Sequence, residues 1–342
     1  MRLFATAHAR RAPHVASAIL SLALLSLACG GSGDGGGPAG PGGSNGNAST
    51  THPAGTMSSK TTVTGGPKAI AVSSTGVVYV VGQYEAAVAR FTVDAPGTTL
   101  TPITVASQPT DVIFNKAGTR AYVSGTGGAG YVIYTIDVAA GTVLTITPVP
   151  YSPIRLALSS DESRLYATAY QSRVLSMPTS GGTVTSVQLT GSLQAIAVSP
   201  TNGAVYVSTV VGPVRRLDPA TLAVQATSPS FGPVNGDLVV SPDGASVYTV
   251  ADDGGLRVLD GSTLTLSGGL DAGGGATGLA MSPDGAQLYV STYNGQLTIV
   301  DRAQRTIVKT LTLGGTPSRV AFDKQGKTAF VANENDWVDV IK

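Results

Sequence analysis

The feature that most constrains this chain is a unit that returns seven times. Each copy begins with an apolar triplet, passes through a polar turn and reaches an apolar stretch carrying an aromatic residue. The copies run from Ile70-Ala71-Val72 to Tyr79, from Val112-Ile113-Phe114 to Tyr122, and from Leu156-Ala157-Leu158 to Tyr166. They continue from Ile196-Ala197-Val198 to Tyr206, Leu238-Val239-Val240 to Tyr248, Leu279-Ala280-Met281 to Tyr289, and Val320-Ala321-Phe322 to Phe330. Successive aromatic positions stand 43, 44, 40, 42, 41 and 41 residues apart. A fixed period of this length means one supersecondary unit built repeatedly, so the repeat decides the fold before any local pattern does.

The turn inside each copy has a physical cause. In Ser241-Pro242-Asp243-Gly244 and Ser282-Pro283-Asp284-Gly285 the proline presets φ near −65° and the glycine takes the position of positive φ, which gives a tight hairpin. Asn115-Lys116-Ala117-Gly118 and Asp323-Lys324-Gln325-Gly326 keep the glycine. A third strand follows, as in Leu256–Asp260 and Leu297–Asp301, and then a fourth, as in Ile307–Leu313. Four short antiparallel strands per period of this length is the arithmetic of a propeller blade. The 44 glycines and the 12% charged fraction, about half the usual globular value of roughly 25%, agree with an all-β chain.

The seventh copy stops after a third strand, Trp337–Ile341, and a spare strand, Lys60–Thr64, precedes the first copy. Pairing the two closes a ring and leaves no open edge. The expected fold is therefore a seven-bladed β-propeller of four-stranded antiparallel blades, closed by an N-terminal strand. The pattern Pro-x-x-apolar-Ala-apolar-Ser-Pro-Asp-Gly-x-x-apolar-Tyr-Val resembles the YVTN-type (YncE-like) β-propeller repeat, over residues 60–342. Copies six and seven carry it best, and copies one to three lack the Ser-Pro-Asp-Gly turn. That resemblance implies an exported or surface protein of bacteria or archaea. It implies no single activity, because propellers host binding, scaffolding and catalysis alike.

The N-terminus reads as an export signal over residues 1–28. Arg2, Arg10 and Arg11 form a basic region, and Val15–Leu27 is an apolar run too short for the roughly 20 residues that span a bilayer. Leu25-Ser26-Leu27-Ala28-Cys29-Gly30 resembles a bacterial lipobox, with Ser26 where that pattern has leucine. Lipidation of Cys29 is the expected outcome, and simple cleavage after Ala28 is the alternative. Cys29 is the only cysteine, so it has no internal disulfide partner. Residues 29–57 read as a tether, since 30–57 hold 11 glycines and only Met57 as a large apolar side chain. Residues 58–342 are then the propeller. The chain is expected in the periplasm or on the outer membrane as a lipoprotein, or secreted, with membrane contact only through the lipid and as a monomer.

Residues 1–28 carry three arginines and no acid. Without them the 21 basic residues become 18 against 20 acidic, net −2, which argues against nucleic acid as partner. All three histidines, His8, His14 and His52, fall in the signal or tether. A propeller without His or Cys lacks the usual ligands for zinc, haem and copper, and the usual partners of a Ser or Cys nucleophile. No cofactor is expected.

The residue before each first strand is Ala69, Asp111, Arg155, Ala195, Asp237, Gly278 and Arg319. In this register two acids and two arginines ring one channel mouth. Arg155 and Arg319 could clamp a carboxylate or another polar ligand; the preferred reading is that acids and arginines pair across a water-filled pore. The loops joining second and third strands add Tyr84, Glu85, Tyr170, Asp252, Asp253, Tyr293, Asn294, Asn333, Glu334 and Asp336. Asp252-Asp253-Gly254 and Asn333-Glu334-Asn335-Asp336 lack the spacing of a calcium loop and read as solvated turns. Tyr79 and its equivalents read as packing between blades. Two functions stay open. One is a non-catalytic envelope module binding an unknown protein or small polar ligand through Asp111, Arg155, Asp237, Arg319, Glu85 and Tyr293. The other is a lactonase-like hydrolase using Glu85, Asp111, Asp237 and Arg319, for which three convergent carboxylates would be the mark.

Overall fold

The computed structural model describes residues 52–105, 108–127, 130–232 and 237–342. The proposed signal, Cys29 and most of the tether lie outside the described residues.

Among the described residues every strand belongs to a four-stranded antiparallel sheet, and there are seven such sheets. β1 (Met57–Thr62) comes first. Blade one is β2 (Pro67–Val72), β3 (Val77–Gly82), β4 (Ala87–Thr92) and β5 (Ala95–Thr104). Blade two is β6 (Gln108–Phe114), β7 (Arg120–Gly127), β8 (Gly130–Asp137) and β9 (Thr142–Val149). Blade three is β10 (Pro153–Leu158), β11 (Arg164–Ala169), β12 (Arg173–Pro178) and β13 (Thr185–Gln188). Blade four is β14 (Leu193–Val198), β15 (Val205–Thr209), β16 (Arg215–Leu217) and β17 (Val224–Thr227). Blade five is β18 (Leu238–Val240), β19 (Ser246–Val250), β20 (Gly255–Asp260) and β21 (Leu266–Asp271). Blade six is β22 (Ala276–Met281), β23 (Gln287–Thr292), β24 (Gln296–Asp301) and β25 (Thr306–Thr312). Blade seven takes β26 (Pro317–Phe322), β27 (Ala329–Asn333) and β28 (Trp337–Ile341) from the end of the chain, and β1 completes it.

The ring therefore closes through the N-terminal strand, which starts three residues before the expected Lys60–Thr64 and ends two residues before it. The pairing runs from Met57 opposite Ile341 to Thr62 opposite Trp337, with Lys60 facing Asp339. Thr56 N–H donates to the Lys342 carbonyl at 2.7 Å, and Lys342 N–H returns a bond to Thr56 at 2.8 Å. Pro53 also touches the propeller, because its carbonyl accepts from Tyr289 Oη. The packed domain thus begins inside the stretch expected to be pure tether: glycine content identified that stretch, and backbone pairing recruits its last residues.

The hairpins form as the turn chemistry demands. In blade five Gly244 adopts φ 71° and its N–H donates to Ser241 carbonyl, while Asp243 Oδ1 accepts from Ala245 N–H at 3.0 Å. Ser241 Oγ then accepts from Ser246 N–H at 2.9 Å, which ties the first strand to the second. Blade six repeats this geometry with Gly285 at φ 70°.

The core lies between blades. Tyr79, Val81 and Val88 of blade one pack with Val112, Val123, Tyr134 and Ile136 of blade two. Across the seam, Phe330, Ala332, Val338 and Val340 of blade seven pack with Ile70, Val78, Val80 and Phe91 of blade one. The repeat aromatics are buried, from 0% exposed for Tyr79, Tyr206, Tyr289 and Phe330 to 7% for Tyr122. Tyr166 Oη donates to the carbonyl of Pro219 in blade four at 2.8 Å. Tyr289 meets Phe322 of blade seven edge-on, ring centres 4.8 Å apart. Each aromatic bridges to the following blade.

Candidate functional site

The innermost strands open with a local irregularity that aims side chains at the axis. Register shifts fall between Pro67 and Ala69, Pro109 and Asp111, Pro153 and Arg155, and Ala276 and Gly278. A bulge of this kind re-aims the next side chain, and proline suits it because no ladder N–H is needed there. Hydroxyls then join neighbouring innermost strands through backbone carbonyls. Thr110 Oγ1 donates to Pro153 at 3.0 Å, Thr277 Oγ1 to Pro317 at 2.7 Å and Ser318 Oγ to Lys68 at 2.9 Å.

Four of the seven ring positions are charged, and all four meet. Arg319 donates through Nε to Asp237 Oδ2 at 2.9 Å and through Nη1 to Asp111 Oδ1. Arg155 Nε lies 3.7 Å from Asp237 Oδ1. Asp111 Oδ2 accepts from Leu156 N–H at 2.8 Å. Arg319 of blade seven thus reaches Asp111 of blade two and Asp237 of blade five, neither blade adjacent to its own, and Arg155 of blade three reaches the same Asp237. The uncharged ring positions Ala69 and Ala195 pack instead into the core between blades. At Gly278 there is no room for a Cβ, which would collide with the Ser318 carbonyl oxygen and Ser291 Oγ.

The pairing of acids with arginines is as expected, but the open, watery pore is not. Asp111 is 0% exposed, and the side chains of Asp237, Arg155 and Arg319 are 6%, 9% and 21% exposed. The cluster is a plug. Its charges sum to zero, as burial of ions demands. Burial works against the charge on Arg319, yet the two carboxylates outweigh it and hold its pKa above the ordinary arginine value. Arg155 goes the other way: burial, then repulsion by Arg319, lowers its pKa despite Asp237 and Asp111. On the hairpin side a cavity of about 480 Å³ runs along the apolar triplets of blades one, two and seven and ends at Arg319.

Glu85 and Tyr293 do not join the plug. Glu85 accepts from Thr64 Oγ1 at 2.9 Å beside the seam. Tyr293 is 52% exposed in the β23–β24 loop. Tyr84 and Tyr170, at 71% and 65%, are more exposed still on the equivalent loops of blades one and three. Asp253 pairs with Arg257 at 2.6 Å, and among the described residues no three acidic, His or Cys side chains converge at metal-binding distance.

One recurrent arrangement escaped sequence reasoning. The ring of Tyr84 leans over Gly66, that of Tyr293 over Gly275 and that of Trp337 over Gly315, so closely that a Cβ on any of these glycines would strike it. Each glycine has positive φ and lies just before an innermost strand. The signal was present as Gly65-Gly66, Gly274-Gly275 and Gly314-Gly315, the first two matched with a tyrosine in their own blade's second loop and the third with Trp337 at the start of β28.

Fold and site together define a seven-bladed β-propeller with an ionic plug in its channel and aromatic residues around the plugged mouth. No protein-family model matches the sequence, and a search of curated proteins finds no match.

Proposed function

We propose that this chain is a non-catalytic propeller of the YVTN-type repeat class, displayed as a monomer on the cell envelope through a lipid on Cys29, that binds a protein or small polar ligand at its plugged mouth. The observation that carries the reading is the set of exposed tyrosines, Tyr84, Tyr170 and Tyr293, on equivalent loops of a chain in which the repeat aromatics are buried. Tyrosine offers a large apolar face and a hydroxyl at little entropic cost, which is why it is enriched in binding surfaces. Affinity capture from native envelope extract should recover a partner with the natural chain and lose it with the Tyr84→Ala/Tyr293→Ala variant. Capture unchanged by that variant would overturn the reading. Cys29→Ala should move the protein from the membrane to the soluble fraction; unchanged fractionation refutes the anchor.

The geometry gives the hydrolase reading less support. Asp111 has both oxygens engaged, by Arg319 and Leu156 N–H, and Asp237 lies between Arg319 and Arg155. A base or metal ligand needs a carboxylate able to leave such partners. Turnover of a sugar lactone that vanishes in Asp111→Asn would reverse this preference.

A further inference from the structure

Arg155 is the incompletely satisfied member of the plug. The residue is 7% exposed, and its Nε is buried without a hydrogen-bond partner, 3.7 Å from Asp237 being too long for one. Its Nη1 makes only a long 3.4 Å bond to the Ile154 carbonyl. By contrast, Arg319 donates to two carboxylates. A buried guanidinium left this way retains donor capacity that water or a ligand must meet.

Arg155 also lines a second cavity, of about 180 Å³, at the plugged mouth between blades one, two and three. Among the described residues its only charged wall residues are Arg155 and Lys68, so both are cations. No carboxylate pairs with Lys68 among the described residues, and the nearby Glu334 is engaged by Gln83 Nε2 at 3.2 Å. The rest of the wall is mixed, with Pro109, Pro153, Ile154 and the exposed ring of Tyr170 as its apolar part and Gln83, Gln108, Thr110 and Thr126 as its uncharged polar part. Ile154 and Tyr170 also border an adjoining cavity of about 350 Å³. The smaller space would hold about six waters at roughly 30 Å³ each, or a small organic molecule.

We propose that this cavity binds a small organic carboxylate, its anionic group held between Arg155 and Lys68 and its apolar body against Ile154, Pro109 and Tyr170. The planar fork of arginine matches a carboxylate, and the apolar wall gives an organic body a role that a bare inorganic anion would not use. The assignment rests on the binding-module reading only in placing the ligand at this mouth.

Calorimetric titration of the full chain with benzoate tests it, with the neutral isostere benzamide and inorganic phosphate as comparisons. Benzoate should bind saturably, benzamide should not, and Lys68→Gln should weaken benzoate about tenfold or more, the worth of one charge-assisted hydrogen bond. Tyr170→Ala should weaken it while leaving the fold intact. Lys68 lies outside the plug, so its variant stays informative even if Arg155→Gln fails to fold. Absence of saturable benzoate binding, equal binding of benzamide, or an unchanged Lys68→Gln variant would each overturn the proposal. Phosphate binding as tightly as benzoate would overturn the carboxylate assignment. If benzoate fails while envelope capture still depends on Tyr84 and Tyr293, only this pocket is refuted and the module reading stands.

Discussion

Lys60 and Asp339 face each other across the seam that closes the ring, ammonium and carboxylate 3.7 Å apart. Asp339 is 0% exposed, and burial raises its pKa against the opposing pull of Asn333, Lys60 and Trp337. Lys60 also stacks over the Trp337 ring at 3.9 Å and donates to the Leu313 carbonyl at 2.8 Å. Replacing Lys60 by Met leaves a buried carboxylate without its cation. The loss should be about 1–2 kcal/mol at neutral pH, below the figure for a fully buried pair because Lys60 is partly exposed. A carboxylate with a raised folded pKa gives stability that is present below its unfolded value, 3.8, and lost as pH rises through the folded value. The Lys60→Met penalty should therefore be small below pH 3.8 and grow toward neutrality. Denaturant titrations across that range check it, and a pH-independent penalty contradicts it.

The strand itself matters more than its charge. Removing residues 57–62 exposes β28 as an unpaired edge. The truncated chain should melt well below the intact one and aggregate. An unchanged melting temperature would disprove closure by β1.

Breaking one charge pair of the plug from one side should cost far more than removing both of its members. Arg319→Met leaves Asp111 buried and loses its bonds to both carboxylates, a change worth about 3–5 kcal/mol. Adding Asp111→Leu to that variant leaves Arg155 and Asp237 as a balanced pair and should recover part of the loss. A double variant less stable than Arg319→Met alone would show that the charges hold the ring together rather than merely balance one another.

A different carboxylate sets an acid limit. Asp161 accepts from Ser159 Oγ at 2.6 Å and from Ser163 N–H and Oγ, which brings its pKa down to about 2. A lowered folded pKa means stability present above the unfolded value and lost as pH falls through the folded one. The margin of the natural protein over Asp161→Asn should thus shrink between pH 3.8 and about 2, and a margin constant over that window would refute the assignment.

The two sets of tyrosines should behave oppositely. Tyr166→Phe removes an inter-blade hydrogen bond to Pro219 and should cost about 1 kcal/mol. Tyr170→Ala, on an exposed loop, should change stability by no more than about 0.5 kcal/mol. Thermal melts of the two variants separate structural from surface tyrosines.

The blade count, the ring and the seam were legible because a period near 42 residues admits few architectures and the hairpins announce themselves through a glycine, except in blade three, where Glu162 takes the positive φ. The identity of the ring positions was legible too, since each precedes an apolar triplet. Their closure into a buried plug was not. It depends on bulges after Pro109 and Pro153 and on two arginines that reach carboxylates of blades not adjacent to their own, relationships between residues that are remote in sequence. The same limit hid the pairing of Tyr84, Tyr293 and Trp337 with their glycines: composition shows both partners, and only the turn of the backbone brings them together.

Reciprocal hydrogen bonds between Thr56 and Lys342 bring the two extremities of the ring side by side. The order in which the blades are written in the gene is then a convention the folded molecule does not retain. Joining Lys342 to Thr56 by a short linker and opening the chain at an exposed loop tip such as Ser180–Gly181 would yield a circular permutant with the same seven sheets, its seam moved to blade three.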